Sequence, residues 1–505
     1  MKACVHVGKT WKSLGLRHGP SAHANGWGRR FSTVGDADDM AVAQPNIASK
    51  PLIDVKHIRE NAGLYAQNCI DRNYGRQSTY PAQIVSLFSQ WKTLQSSSKS
   101  LREDAKKARR ALQSPSGSGG AVDVSMMSMS RDAILETAKA LKQELQSVEA
   151  KEEALMDKIQ SLAVALPNLT SEDTPRGDEA TVLSFINDAP PDTKPWKSHV
   201  DIGTDLGILD FAAAGTASGW GWYYLVDEAA QLEQALVQYA LAVATKHGWS
   251  QVSPPTMVYS HIASACGFRP RDQSDERQIY AIAQDPSDQA RGKPEHCLVG
   301  TSEISLAAMK AHSTIPLKAL PAKKVAASRC YRAEAGARGV DTKGLYRVHE
   351  FTKVELFAWT APNWEDAQDV FDEILDMQTE ILGSLGLYCR ILEMPSTDLG
   401  ASAARKCDIE AFFPSRRQRH GGWGELSSTS ICTDYQTRRL GTRVKVDGGK
   451  MGFPWTVNGT ALAVPRVIAA ILENGWNEDG TVHIPECLSP WMGGKDIIGC
   501  RKGAM

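Results

Sequence analysis

The sequence predicts an α+β chain, in which an antiparallel β-sheet core flanked by helices follows a long antiparallel α-helical coiled-coil arm. Three observations carry this. Two segments between positions 84 and 162 hold apolar residues at alternating spacings of three and four. A polar, proline-rich stretch follows them. Beyond Trp196, short β-rich runs alternate with helical ones, without the regular crossover helices of a parallel sheet. The length of 505 residues exceeds what one hydrophobic core usually supports, and 42% hydrophobic with 23% charged residues excludes wholesale disorder or a fibrous chain.

Residues 1–35 carry six basic residues (Lys2, Lys9, Lys12, Arg17, Arg29 and Arg30) and no acid. A basic, acid-free, serine-containing N-terminus reads as a mitochondrial transit peptide, since a secretory signal needs an apolar stretch. The expected address is the mitochondrial matrix. Ten cysteines without a C-x-x-C pair suggest free thiols in a reducing space, with neither a disulfide framework nor a zinc-ligand pattern. The uncharged stretch Phe211 to Val226 has 16 residues and three glycines, too short and polar to span a bilayer, so no membrane partner is expected.

The arm is expected over about 84–162, within an N-terminal domain of 50–170. Its first seam runs Ile84, Leu87, Trp91, Leu94, Ser98, Leu101, Ala105, Ala108 and Leu112. Its second runs Ile134, Ala138, Leu141, Leu145, Val148, Glu152, Leu155, Ile159 and Leu162, so that only Ser98 and Glu152 break the apolar pattern. The Ser/Gly-rich run 114–120 cannot continue a helix and turns the second back on the first, in a hairpin of order 40 Å. Residues 171–195, with five prolines counted from Pro167 and several acids, are expected to be a linker to a core domain of 196–505.

A net charge of −1 argues on its face against a nucleic-acid partner, but it averages unlike parts. From Lys92 to Arg110 the first arm helix carries Lys92, Lys99, Arg102, Lys106, Lys107, Arg109 and Arg110 against Glu103 and Asp104. Such a run is either a solvated face or a phosphate-binding one.

In the core, 330–336 and 346–355 read as two strands joined by a charged, flexible loop. Arg332 is suited to hold a phosphate or carboxylate bidentately, and Glu334 is expected two residues on along the same strand face. Phe351 offers a flat apolar surface and Glu355 a fixed negative charge. A hairpin laced with surface ion pairs would read the same way.

This block resembles motif 2 of class II aminoacyl-tRNA synthetases, and specifically of seryl-tRNA synthetases. Residues 248–255 (GWSQVSPP) resemble motif 1, Thr301-Ser302-Glu303 the T-x-E loop, 424–428 (GELSS) with 433–439 the ATP and metal segment, and 458–466 (NGTALAVPR) motif 3. The blocks are collinear over about 50–505. The resemblance implies ATP-dependent activation of L-serine to seryl-adenylate, then transfer to the 3′-terminal ribose of tRNA(Ser), with ATP and Mg²⁺. It implies catalytic roles for Arg332, Glu425 and Arg466. Arg332 would bind the α-phosphate and the serine carboxylate, and Arg466 the γ-phosphate. Glu425 with Ser428 would hold Mg²⁺. The nucleotide site would comprise Arg332, Ala333, Glu334, Val348, His349, Glu350, Phe351, Glu425, Leu426, Ser427, Ser428 and Arg466, with Phe351 stacking on adenine. Serine would meet Thr301, Ser302, Glu303, Arg332, Glu355, Asn458 and Thr460. The arm would hold tRNA through its seven basic residues, and motif 1 would make a homodimer.

Three positions depart from the family pattern: Ile431 replaces an Asn, and Ala461 and Pro465 replace glycines. No Cys stands at a pocket position where a zinc-using variant would need one. The competing readings are a catalytically silent relative acting in RNA binding or assembly, and a carrier-protein ligase, whose kind lacks the long arm.

Overall fold

The computed structural model describes residues 50–113, 130–191, 196–268, 278–334, 344–418 and 420–499. The transit-like segment 1–35 and the turn at 114–120 lie outside them. The described residues form one compact unit.

At the N-terminal end, helices α1 (Val55–Glu60) and α2 (Ala62–Asp71) pack beside the base of the arm. The arm comprises α3 (Tyr80–Ser97), α4 (Lys99–Gln113) and α5 (Arg131–Val164). Every seam residue expected from the sequence is buried or half-buried, because apolar side chains at spacings of three and four form one stripe on each helix. The helical break falls at Ser98. There the two seam-breaking residues meet: Ser98 Oγ donates to Glu152 at 3.3 Å, and Arg102 holds the same carboxylate through Nη2 at 2.6 and 2.7 Å. Arg102 is therefore tied to the seam through Glu152, with 33% of its side chain still exposed.

The core is an eight-stranded sheet of β1 (Thr181–Ile186), β2 (Ser250–Gln251), β3 (Ala322–Tyr331), β4 (Glu350–Thr360), β5 (Cys389–Glu393), β6 (Arg405–Phe412), β7 (Trp423–Thr433) and β8 (Trp455–Ala463), in the spatial order β1-β5-β6-β7-β8-β4-β3-β2. All neighbours are antiparallel except β2 with β3. β1 arises inside the stretch expected to be a linker. Its prolines and acids stand beside the strand, while Thr181–Ile186 itself is β-prone and pairs with β5.

Helices α6 (Glu228–Lys246), α8 (Trp364–Ser384) and α10 (Val464–Gly475) cover one sheet face and close the main core with the inward residues of the central strands. α8 starts where Asn363 accepts the Asp366 N–H at 2.9 Å, and its buried side recurs at Ala367, Val370, Phe371, Ile374 and Ile381. It crosses the sheet so closely that a Cβ on Gly459 would lie 2.5 Å from Ile374, so only glycine fits in β8 there. Ile431 faces this core and is fully buried, which explains why an apolar residue suits that position. Pro465 stands in the first turn of α10, where its missing N–H leaves no helical bond unmade. Ala461 is likewise fully buried, in the main core.

The arm base is fastened to the core through backbone carbonyls. Arg72, 1% exposed, donates to Asn168 O at 2.6 Å, to Leu399 O at 3.4 Å and to Gly400 O. Asn168 Nδ2 in turn donates to Ser402 O at 2.8 Å and Cys432 O at 2.9 Å.

Candidate active site

The other sheet face opens into a cleft of about 360 Å³. Its chemistry follows from strand register: in β4, β6, β7 and β8 alternate side chains point into the core, and those between them point into the cleft. Thr460 stands opposite Glu355, and Asp408 opposite Ser428.

At one end the cleft is small, polar and buried. Thr301, Ser302 and Glu303 sit at the start of α7 (Glu303–Ala308). Glu303 accepts from Gln436 Nε2 at 2.5 Å, and Gln436 accepts from Thr456 at 2.8 Å. Burial and then the charge of Glu355 push Glu303 up to about 8, against the pull of Lys353, Gln436 and Arg332. Lys353 lies 2.5 Å from Glu355 and donates to Thr460 at 3.3 Å, while Thr460 lies 3.5 Å from Glu355.

Arg332 lies between the two ends of the cleft. Its Nε donates to Gly300 O at 3.4 Å, and its guanidinium centre lies 5.3 Å from the Phe351 ring centroid. β3 ends at Tyr331, so Glu334 is not on the strand face expected for it. It lies past the strand end, in irregular backbone with φ of 45°, and pairs with Arg347 at 3.5 Å.

At the far end Arg466, from the first turn of α10, donates to Tyr346 O at 3.0 Å, Glu425 O at 2.9 Å and Glu425 Oε2 at 3.2 Å. Burial opposes ionisation of Glu425, but Arg466, Lys406 and Arg332 outweigh it and hold its carboxyl down at about 2. With 41% of its side chain exposed, this carboxylate is reachable from solvent. Behind it, Lys406 pairs with Asp408 at 2.8 Å and Asp398 at 3.6 Å.

Of the residues expected from the sequence, Thr301, Glu303, Arg332, Glu334, Val348, Phe351, Glu355, Glu425, Leu426, Ser428, Asn458, Thr460 and Arg466 line the cleft. Ala333, Ser302, His349, Glu350 and Ser427 do not. The His349 ring packs between Trp220 and Trp222, Glu350 pairs with Arg329 at 3.8 Å, and Ser427 donates to Thr460 O. Sequence reasoning missed Lys353, Tyr346, Arg347, Lys406 and Phe268, all of which line the cleft. Lys353 was open to discovery, since it stands two residues before Glu355 in one strand.

An antiparallel sheet closed at one edge by a parallel strand, with arginines converging on its open face from the end of β3 and the start of α10, defines a class II aminoacyl-tRNA synthetase core. Residues 286–475 match the tRNA synthetase class II core domain (G, H, P, S and T), and residues 52–170 match the seryl-tRNA synthetase N-terminal domain. The chain is 44% identical over 365 residues to the mitochondrial serine–tRNA ligase of Saccharomyces cerevisiae, covering 71% of this chain and 78% of that one. It is 38% identical to the mitochondrial serine–tRNA ligase of Schizosaccharomyces pombe, covering 87% and 88%. The crystal structure of seryl-tRNA synthetase from Pyrococcus horikoshii complexed with ATP superposes with a TM-score of 0.76 at 31% identity, covering 88% of this chain and 99% of that one. The chain belongs to the seryl-tRNA synthetase family.

Proposed function

We propose that this cleft joins L-serine to ATP, forming seryl-adenylate and pyrophosphate, and then passes the seryl group to the 3′-terminal ribose of tRNA(Ser). The observation that carries the reading is the arrangement around Arg332: a buried polar pocket with Glu303 and Glu355 on one side and the Arg466–Glu425 pair on the other. Catalysis here needs no covalent nucleophile. The serine carboxylate attacks the α-phosphorus, so the protein's contribution is positioning and charge stabilisation. Arg332 holds the carboxylate and the α-phosphate together, Phe351 supports adenine and Arg466 meets the terminal phosphates. Arg347, accessible at the same end, is available for the same phosphates.

The pocket selects serine by its polar pairing. Glu303 and Thr301 take the ammonium, and Glu355, Lys353 and Thr460 surround the hydroxyl. Alanine would leave these buried groups unpaired, and threonine exceeds the space. Glu425, kept ionised, and Ser428 supply hard oxygen donors that fit Mg²⁺. When bound, that ion neutralises charge on the departing pyrophosphate.

The basic face of the arm (Lys92, Lys99, Lys106, Lys107, Arg109 and Arg110, all exposed, with Arg102 beside them at the seam) suits the phosphates of tRNA, read by shape and charge. β2 and α6 lie at the sheet edge where motif 1 would pair two copies, a state that sedimentation tests. The basic N-terminal segment and the mitochondrial relatives support an address in the mitochondrial matrix, which an import assay tests.

The deciding experiment is pyrophosphate exchange with serine, alanine and threonine, with Arg332→Ala as control. Serine-dependent exchange in the wild-type chain, lost in the variant, is expected. No exchange with any of the three would favour a silent RNA-binding relative.

A further inference from the structure

Near the end of the β3–β4 hairpin lies an exposed aromatic group that the activation chemistry does not use. Residues 219–222 form the turn between the helix Phe211–Ser218 and the short strand Tyr224–Leu225. Trp220, at its outer corner, is 53% exposed. Beneath it the His349 ring meets Trp220 edge-on at 5.6 Å and stacks on Trp222 at 6.0 Å, with 26° between the planes. Tyr280 Oη lies 3.0 Å from His349 Nδ1, and the His349 N–H donates to Gly221 O at 3.0 Å. Gly221 has φ of +83°, and a Cβ there would lie 2.4 Å from the His349 ring. The indole is thus carried on a turn held from below.

The turn adjoins the reacting centre. The Arg332 N–H donates to His349 O at 2.9 Å, which makes the two residues cross-strand neighbours at the end of the β3–β4 hairpin. Directly opposed residues stand about 5 Å apart. Phe351 and Arg466 occupy the nucleotide side of the cleft, and Glu303 with Gln436 closes its floor. A tRNA whose terminal ribose reaches Arg332 must leave its preceding unpaired nucleotides at the rim.

We propose that Trp220 is a stacking platform for one of those unpaired bases next to the tRNA 3′ end. The proposal rests on the aminoacylation reading given above. An aromatic face accepts any base, because every base has a π-face, and single-stranded RNA ends present such faces unstacked. An accessible indole fixed in place loses little freedom on binding.

The test uses the full-length chain and tRNA(Ser) carrying 2-aminopurine, whose emission falls on stacking, at each of the two nucleotides before the 3′ terminus in turn. Wild-type protein should quench one of these positions. Trp220→Ala should abolish that quenching and lower kcat/KM for charging about tenfold relative to serine-dependent exchange. Trp220→Phe should restore most of both. Unchanged charging or persistent quenching in Trp220→Ala overturns the proposal. So does a halved sedimentation mass that accounts for the loss, which would make Trp220 a contact with a second copy. Absence of exchange in the wild-type chain would instead fail the parent reading.

Discussion

Glu303 shows how one residue's surroundings set its chemistry. Without serine it is pushed from an ordinary 4.5 up to about 8, by burial first and Glu355 second. Its folded value is raised, so the stability it contributes is full below about 4.5 and is lost as pH rises through about 8. An incoming ammonium favours the ionised form, so serine binding near pH 7 should release a proton and tighten as pH rises toward about 8. Calorimetry in buffers of different ionisation enthalpy measures this, and Glu303→Gln should remove the release; net proton uptake would contradict it. At the other end of the cleft, Arg466→Ala removes the first of the three cations that hold the Glu425 carboxyl low and, on the reading proposed above, the one that meets the terminal phosphates. Exchange should fall by about 10²-fold or more, as for loss of a preorganised electrostatic contact, with the fall read in kcat/KM for ATP. These residues were legible as motif members. Lys406 and Tyr346 were not, because only the folded register brings them alongside Glu425.

At the scale of elements, the seam of the arm was legible from period alone, including its two interruptions. What period could not show is that Ser98 and Glu152 meet each other and recruit Arg102. A lone polar group in such a seam weakens it, whereas a satisfied set specifies register, since sliding α4 along α5 would separate the partners. Glu152→Ala, which leaves Arg102 and Ser98 without their acceptor, should speed hydrogen exchange around the Ser98 break. Replacing Ser98, Arg102 and Glu152 together by leucine should slow exchange there below wild type. Its tRNA charging should nonetheless fall, because the basic face is no longer held in one register. Equal exchange rates in all three proteins would remove the registering role. β1 was illegible for the opposite reason: six β-prone residues among prolines and acids form a strand only because β5 offers an edge.

Across the whole molecule, the order of arm then sheet was readable, but not the way the two are joined. Arg72 carries no motif and stands in the turn just past the end of α2. Yet it spans from the arm base to the carbonyls of Leu399 and Gly400, beside the cleft residues Ser402 and Ala403. Burial lowers its pKa, and Arg72→Leu would leave the buried Leu399 carbonyl without a donor and Gly400 O with the Ala403 N–H instead of two donors. A loss on the order of 3 kcal/mol in chemical denaturation is expected. Serine-dependent exchange should weaken too, because the same carbonyls shape the cleft wall. A loss of stability with unchanged serine KM would separate the joint from the site.

The joint also has a mechanical side. The 34 residues of α5 make a beam about 50 Å long at 1.5 Å per residue. The bonds at its foot work over roughly 5 Å, the span of an arginine's reach. With that ratio, play of about 0.5 Å at Arg72 becomes a sweep of about 5 Å at the far end, comparable to the rise of one helical turn. The precision with which the distant tip can aim a large ligand is therefore set by the tightness of a few carbonyl contacts at the fulcrum.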